Sequence, residues 1–70
     1  MRVAGRQIEA VSGRQFLVHA RLTVDPYLWC WEIWDPIHGE LIKSSWAEEW
    51  AAYDSPEEAL LAAAEHVAQL

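Results

Sequence analysis

The chain has 70 residues, a formal net charge of −6, 53% hydrophobic and 23% charged residues, and five tryptophans. At roughly 100 to 200 residues per domain this is a single small domain spanning residues 1–70, and a chain this short buries only about 60% of its unfolded surface, so each large apolar side chain counts. The composition excludes a disordered chain, and a lone cysteine, Cys30, excludes a domain stapled by internal disulfides.

Charge is unevenly placed. The basic residues Arg2, Arg6, Arg14, Arg21 and Lys43 all precede residue 44 and are matched in number by Glu9, Asp25, Glu32, Asp35 and Glu40. Residues 44–70 hold Glu48, Glu49, Asp54, Glu57, Glu58 and Glu65 with no Lys or Arg, so the whole −6 resides there. A nucleic-acid backbone or an anionic membrane surface is held by clustered Lys and Arg, and this distribution argues against both as partners. No segment approaches the ~20 apolar residues of a membrane span, and MRVAGRQIEAVSG at the start lacks the apolar run of a signal peptide. The expected compartment is a reducing cytoplasm.

In chain order, residues 3–11 alternate weakly between apolar and polar and run into a tight turn at Ser12-Gly13. Residues 15–24 alternate cleanly: Phe16, Val18, Ala20, Leu22 and Val24 share one face, and Gln15, Leu17, His19, Arg21 and Thr23 the other. Asp25-Pro26-Tyr27 breaks this strand, because proline lacks an N–H and aspartate closes turns through its side chain. The next strand, LWCWEIW at 28–34, places Trp29, Trp31 and Ile33 on one side and Leu28, Cys30, Glu32 and Trp34 on the other. Asp35-Pro36-Ile37-His38-Gly39 reads as a hairpin loop with Gly39 at a positive φ, followed by a strand over 40–46 in which Trp46 shares a face with Ile42 and Ser44. Residues 47–52, AEEWAA, fit either one helical turn or an irregular connection, with Trp50 and Tyr53 as anchors to the core.

Ser55-Pro56-Glu57-Glu58 opens a helix with an N-cap serine, proline at the first helical position and glutamates suited to the positive helix end. The helix is expected over Pro56 to about Gln69, with Ala59, Leu60, Ala63, His66, Val67 and Leu70 on its apolar side and Leu61 and Ala68 toward solvent. The fold class is α+β: an antiparallel sheet of three to four strands with one C-terminal helix packed on one face. One helix covers one face only, so the other must meet solvent, loops or a partner.

From Trp29 onward the pattern resembles the YegP-like small bacterial domains of unknown function. These have a tryptophan-containing strand, a glycine hairpin, a strand ending in serine, then a tyrosine and a serine leading into an alanine-rich helix. The matching residues are Trp29, Trp31, Ile33, Gly39, Glu40, Ile42, Ser44, Ser45, Tyr53, Ser55 and Ala59, within roughly residues 28–64. The resemblance implies a bacterial α+β fold and assigns neither an activity nor functional residues.

Chemistry-bearing residues are sparse. His19, Cys30, His38 and His66 are widely separated with no CxxC or HxxxH spacing, so neither a metal nor another cofactor is expected. A Cys30 nucleophile served by His19 would need an electropositive, partly exposed thiol, whereas Cys30 sits between two tryptophans near Glu32 and reads as buried and inert. Adjacent glutamates on a helix do not face each other, so Glu48-Glu49 and Glu57-Glu58 make no acid–base pair. The chain reads as a non-enzyme.

The tryptophans allow three roles: core bulk, a platform for a protein partner or a second copy, or a stacking surface for a base, sugar or cation. The expectation is a non-catalytic protein-interaction or homodimerising module using an exposed Trp-bearing sheet face. Its contacts would be Trp29, Trp31 and Trp46, rimmed by Arg21 and Lys43. The alternative is binding of a small ligand or single-stranded nucleic acid by aromatic stacking. Glu48, Glu49, Asp54, Glu57 and Glu58 form a candidate acidic patch, either simply solvated or steering a basic partner.

Overall fold

In a computed structural model the backbone is described for residues 2–23, 28–48 and 51–70, and side chains for all of these except 2–4 and 48. Four strands, β1 (Arg2–Glu9), β2 (Gln15–Leu22), β3 (Trp29–Asp35) and β4 (Glu40–Ser44), form an antiparallel sheet in the order β1-β2-β3-β4. A short helix α1 (Ser45–Glu48) and a longer one, α2 (Pro56–Val67), follow. The α+β architecture is the expected one. The Asp25-Pro26-Tyr27 turn, Val24, Glu49 and Trp50 lie outside the described residues.

Both expected turns form where glycine permits a left-handed backbone. Gly13 has φ 89° and closes the β1–β2 hairpin with its N–H on the Ala10 carbonyl at 2.9 Å, while Gly39 has φ 66° and donates to the Asp35 carbonyl at 2.8 Å. The β1–β2 pairing slips between Ala4 and Gln7, so that Gly5 and Arg6 together stand against Val18. Gly5 is needed for proximity and not for φ: a Cβ there would lie 2.6 Å from the Val18 carbonyl oxygen and 2.5 Å from Leu60 Cδ2.

α2 begins as its sequence dictates. The Ser55 side chain accepts the Glu58 N–H at 3.2 Å, satisfying one helix-end donor, and the Glu58 carboxylate accepts the N–H of Asp54, just before the N-cap, at 3.2 Å, a variant of the capping box. The helix buries Ala59, Ala63 and Val67 against β2 and β3, and Leu60 and Leu70 pack at the margin. Opposite them stand Phe16, Val18, Ala20, Trp31 and Ile33, all buried. The core is thus alanine below and aromatic above. Ala20 pairs with Trp31 across the strands, so small residues on both the neighbouring strand and the helix leave the volume one indole fills.

The second element of β4 departs from expectation. The strand stops at Ser44, and Trp46 lies in α1, not in the sheet with Ile42 and Ser44. A bulge between Ile33 and Trp34 of β3 puts an extra residue in β4, and the chain then turns away. This would strand the outward N–H groups of β3, and two substitutes take them. The Ser45 hydroxyl, fully buried, accepts the Trp31 N–H at 3.0 Å, and Tyr53 pairs with Trp29 through Trp29 N–H to Tyr53 carbonyl at 2.8 Å and the reverse bond at 2.7 Å. Among the described residues no helix is long and apolar enough to cross a membrane.

Candidate functional site

Cross-strand partners share a face, so the register assigns every side chain to the helix side or the open side. The side away from α2 carries Gln7, Leu17, Trp34 and Leu41 in one row, His19, Glu32 and Ser44 in the next, and Arg21 beside Cys30 in the third, and it is open mainly in the first row, since Glu32, Ser44 and Cys30 are buried. This corrects the expected contact set. Trp31 is 0% exposed and lies beneath α2 with its ring 4.6 Å from that of His66. Trp29 is half-buried and packs against the same core, and Trp46 has left the sheet for α1. Among the described residues of the sheet, the tryptophan on this side is Trp34.

The reason is charge. Trp29, Trp31 and Ile33 share their face with Phe16, Val18 and Ala20 and bring no ionisable group to it, whereas the opposite face holds Glu32, Arg21 and His19. Apart from Lys43, which pairs with Ile33 on β4 and is only half-buried, covering this face removes mainly apolar surface from water. Burying an indole of about 150–250 Å² yields roughly 4–6 kcal/mol at ~25 cal/mol per Å². That exceeds the roughly 1–3 kcal/mol lost because the Trp31 indole N–H finds no hydrogen-bond partner among the described residues.

Arg21 does stand on the open side. Its Nε donates to Glu32 Oε2 at 3.0 Å, and the Trp34 Nε1–H donates to Glu32 Oε1 at 3.2 Å. The buried Glu32 carboxylate therefore locks the guanidinium and the indole in place, and a charge 4% exposed is tolerable because it is paired. Lys43 stands opposite Ile33 instead of beside Arg21. Gln7 donates to Gln15 at 3.3 Å and Gln15 to Glu9 at 2.9 Å, a polar chain along the β1 margin of the face.

At one end of the sheet the two hairpin loops meet around Asp35. Its Oδ1 accepts the N–H groups of Ile37 at 2.9 Å and His38 at 3.3 Å, and its Oδ2 lies 2.7 Å from His38 Nδ1 and 3.1 Å from Arg14 Nη2. The His38 side-chain bond, with the two backbone donors and Arg14, outweighs burial and holds the carboxyl well below the usual carboxylate range. Arg14 also lies over the Phe16 ring at 4.8 Å, so it clips the β1–β2 hairpin to the β3–β4 hairpin. A cavity of about 390 Å³ sits beside this junction, lined by Leu17, His19, Trp34, Asp35, Pro36 and Gly39.

The remaining candidates do not converge. Cys30 is fully buried, and His19 stands opposite Glu32, two pairs along from the Arg21–Cys30 pair. Among the described residues no three His, Cys, Asp or Glu side chains gather as metal ligands. Of the acidic patch, Asp54, Glu57 and Glu58 are exposed at the start of α2, where the helix end accounts for them; Glu49 and the Glu48 side chain lie outside the described residues. Sequence reasoning missed Trp34, Leu17 and Leu41 as a row. The signal was available in Glu32, whose charge marks the face it shares with Trp34 as the one a helix leaves open. No protein-family model, curated protein or solved structure matches this chain, so what it does has to follow from the geometry of its sheet.

Proposed function

We propose that this domain is a non-catalytic protein-interaction module that packs against a second copy of itself through the open sheet face, with Trp34 at the centre. The observation that carries this reading is the row Leu17, Trp34 and Leu41, three large apolar side chains across three strands on the side opposite α2. Leu41 is 47% exposed. Antiparallel sheets stack face to face through such rows at about 10 Å, and a two-fold arrangement matches each copy's row with its partner's.

Charge supports a second copy as the partner. Arg21 and Glu32 neutralise each other on this face, whereas Asp54, Glu57, Glu58 and Glu65 are exposed on the helix side. Pairing through the open face keeps the two acidic helices on opposite outer surfaces. Approach through the helices would bring like charges together.

Sedimentation equilibrium over a concentration series tests the proposal. Wild type should form a dimer, and Trp34→Ser should weaken it by about 30-fold or more, the effect of losing a central tryptophan worth ~2 kcal/mol. Circular dichroism should show that the variant remains folded. A wild type that stays monomeric at every concentration, or a Trp34→Ser dimer of unchanged strength, overturns the reading.

A further inference from the structure

We infer that the cavity at the hairpin end of the open face is a binding site for an uncharged, planar heteroaromatic ring, seated against Trp34 and His19. This goes beyond the self-association proposed above and does not depend on it. The cavity volume of about 390 Å³ falls within the ordinary range for small-molecule sites, which are apolar hollows with few polar groups.

The walls select the ligand class. Trp34 and His19 present two rings with centroids 6.3 Å apart and planes tilted by 49°, and Leu17 and Pro36 add aliphatic sides. Flat π-faces beside aliphatic walls favour a ring that stacks in offset fashion over a branched chain of equal volume. Gly39 adds no side chain to the lining, and a Cβ there would meet nothing within 4 Å.

Charge narrows the class further. The one carboxylate among the lining residues, that of Asp35, is already engaged by Arg14, His38 and two backbone N–H groups, so it has no need of a ligand cation. Among the described residues the lining contains no Lys or Arg, so an anionic ligand would enter without a counter-charge and lose its hydration. His19 supplies the polar handle. Its Nδ1 has no hydrogen-bond partner among the described residues, and a neutral imidazole offers one donor and one acceptor nitrogen. Nδ1 is buried, so the half-buried ring must turn to bring it to the cavity, where it would bond to a heteroatom of the ligand that a pure hydrocarbon lacks.

The test is a chemical-shift titration of dilute, isotope-labelled protein, at concentrations where sedimentation shows monomer only. Indole and adenine serve as probes, with cyclohexanol as a non-aromatic control and benzoate as an anionic one. Indole and adenine should give saturable shifts at the Gly39 amide, the Trp34 indole N–H and the His19 ring. Cyclohexanol and benzoate should bind at least tenfold more weakly. Two variants probe the site from different walls: Trp34→Ala removes the stacking ring, and Leu17→Phe fills the cavity with Trp34 retained. Both should abolish saturation while their remaining amide spectra stay dispersed. The inference is overturned if neither ring saturates the site, if cyclohexanol or benzoate binds as well as indole, or if binding survives in Leu17→Phe. Loss of ring binding with dimerisation intact sinks this site alone, and ring binding by a protein that never dimerises sinks the self-association alone.

Discussion

Trp31 and Trp34 stand three residues apart on opposite faces of β3, and the two faces treat them in opposite ways. Trp31 is fully buried in one core cluster with Ala20, Ala59 and Ala63, and its indole N–H has no partner among the described residues. Trp34 is half-buried on the other side, with its indole N–H held by a carboxylate that is itself paired to Arg21. One face excludes water by volume alone, at the expense of one polar group. The other engages the charges of Glu32 and Arg21 and the Trp34 indole N–H, leaves His19 Nδ1 without a partner among the described residues, and leaves apolar surface showing. The difference teaches that the helix docks where the central residues of β2 and β3 carry no charge, and leaves uncovered the face where Arg21 and Glu32 stand.

Removing each indole sharpens this contrast most strongly. Trp31→Ala opens a cavity in a core with nothing large enough to collapse into it, and should lower stability by about 3–5 kcal/mol. A domain of this size holds only roughly 4–10 kcal/mol in total, so much of the population should unfold. Trp34→Ala, losing a half-buried ring and one hydrogen bond, should lose about 1–2 kcal/mol and stay folded. Urea denaturation followed by circular dichroism measures both. If the two variants proved equally unstable, the distinction between a sealed face and an open one would fail.

The parts of this contrast that were legible in the sequence are those set by local chemistry. Ser55-Pro56 with Glu58 started the helix where it forms, Gly13 and Gly39 marked the turns, and alternation placed Phe16, Val18 and Ala20 on one side of β2. The assignment of β3 to faces was also correct, with Trp34 opposed to Trp29 and Trp31. What local chemistry could not decide was which face α2 covers, because that depends on the sum of charge over several strands. The end of β4 was hidden for a related reason. Alternation carried it through Trp46, but the bulge at Ile42 and the buried Ser45 hydroxyl replace the ladder with a side-chain bond, and only the assembled sheet shows that bond.

The helix-side face can be attacked from β1 as well. Gly5→Ala would push a Cβ to 2.6 Å from the Val18 carbonyl oxygen, a backbone atom that cannot move aside as a flexible side chain would. Overpacking of this kind should lower stability by about 2–3 kcal/mol, read as a fall in the urea midpoint. Adding Leu60→Ala relieves the contact with Leu60 but not the one with Val18, so the double variant should not recover. Full recovery would show that the helix, and not the paired strand, enforces the glycine.

Ser45→Ala tests the seam between the sheet and α1. The Trp31 N–H would lose its acceptor in a site without exposure, and should forfeit about 1–2 kcal/mol while leaving the volume of the residue almost unchanged. Ser45→Thr keeps the hydroxyl and should recover part of the loss. Hydrogen exchange at the Trp31 amide gives the local readout: accelerated exchange in the alanine variant is expected, and an unaltered rate would mean that the bond is not what protects that amide.

The smallest effect belongs to the open end of the sheet, where His38 meets Asp35. The Asp35 carboxyl is held below its ordinary value of 3.8, chiefly by the His38 side chain. A carboxyl depressed in the folded state contributes stability that is fully present above its unfolded value and is lost as the pH falls through the folded one. His38→Ala should therefore be less stable than wild type at pH values above 3.8, by a small margin because the ring is 68% exposed. The gap should close as acid protonates the carboxyl in both proteins. Urea midpoints along a pH series decide it, and a gap that persisted unchanged into strong acid would place the contribution of His38 in packing of the turn instead of in its bond to the Asp35 carboxylate.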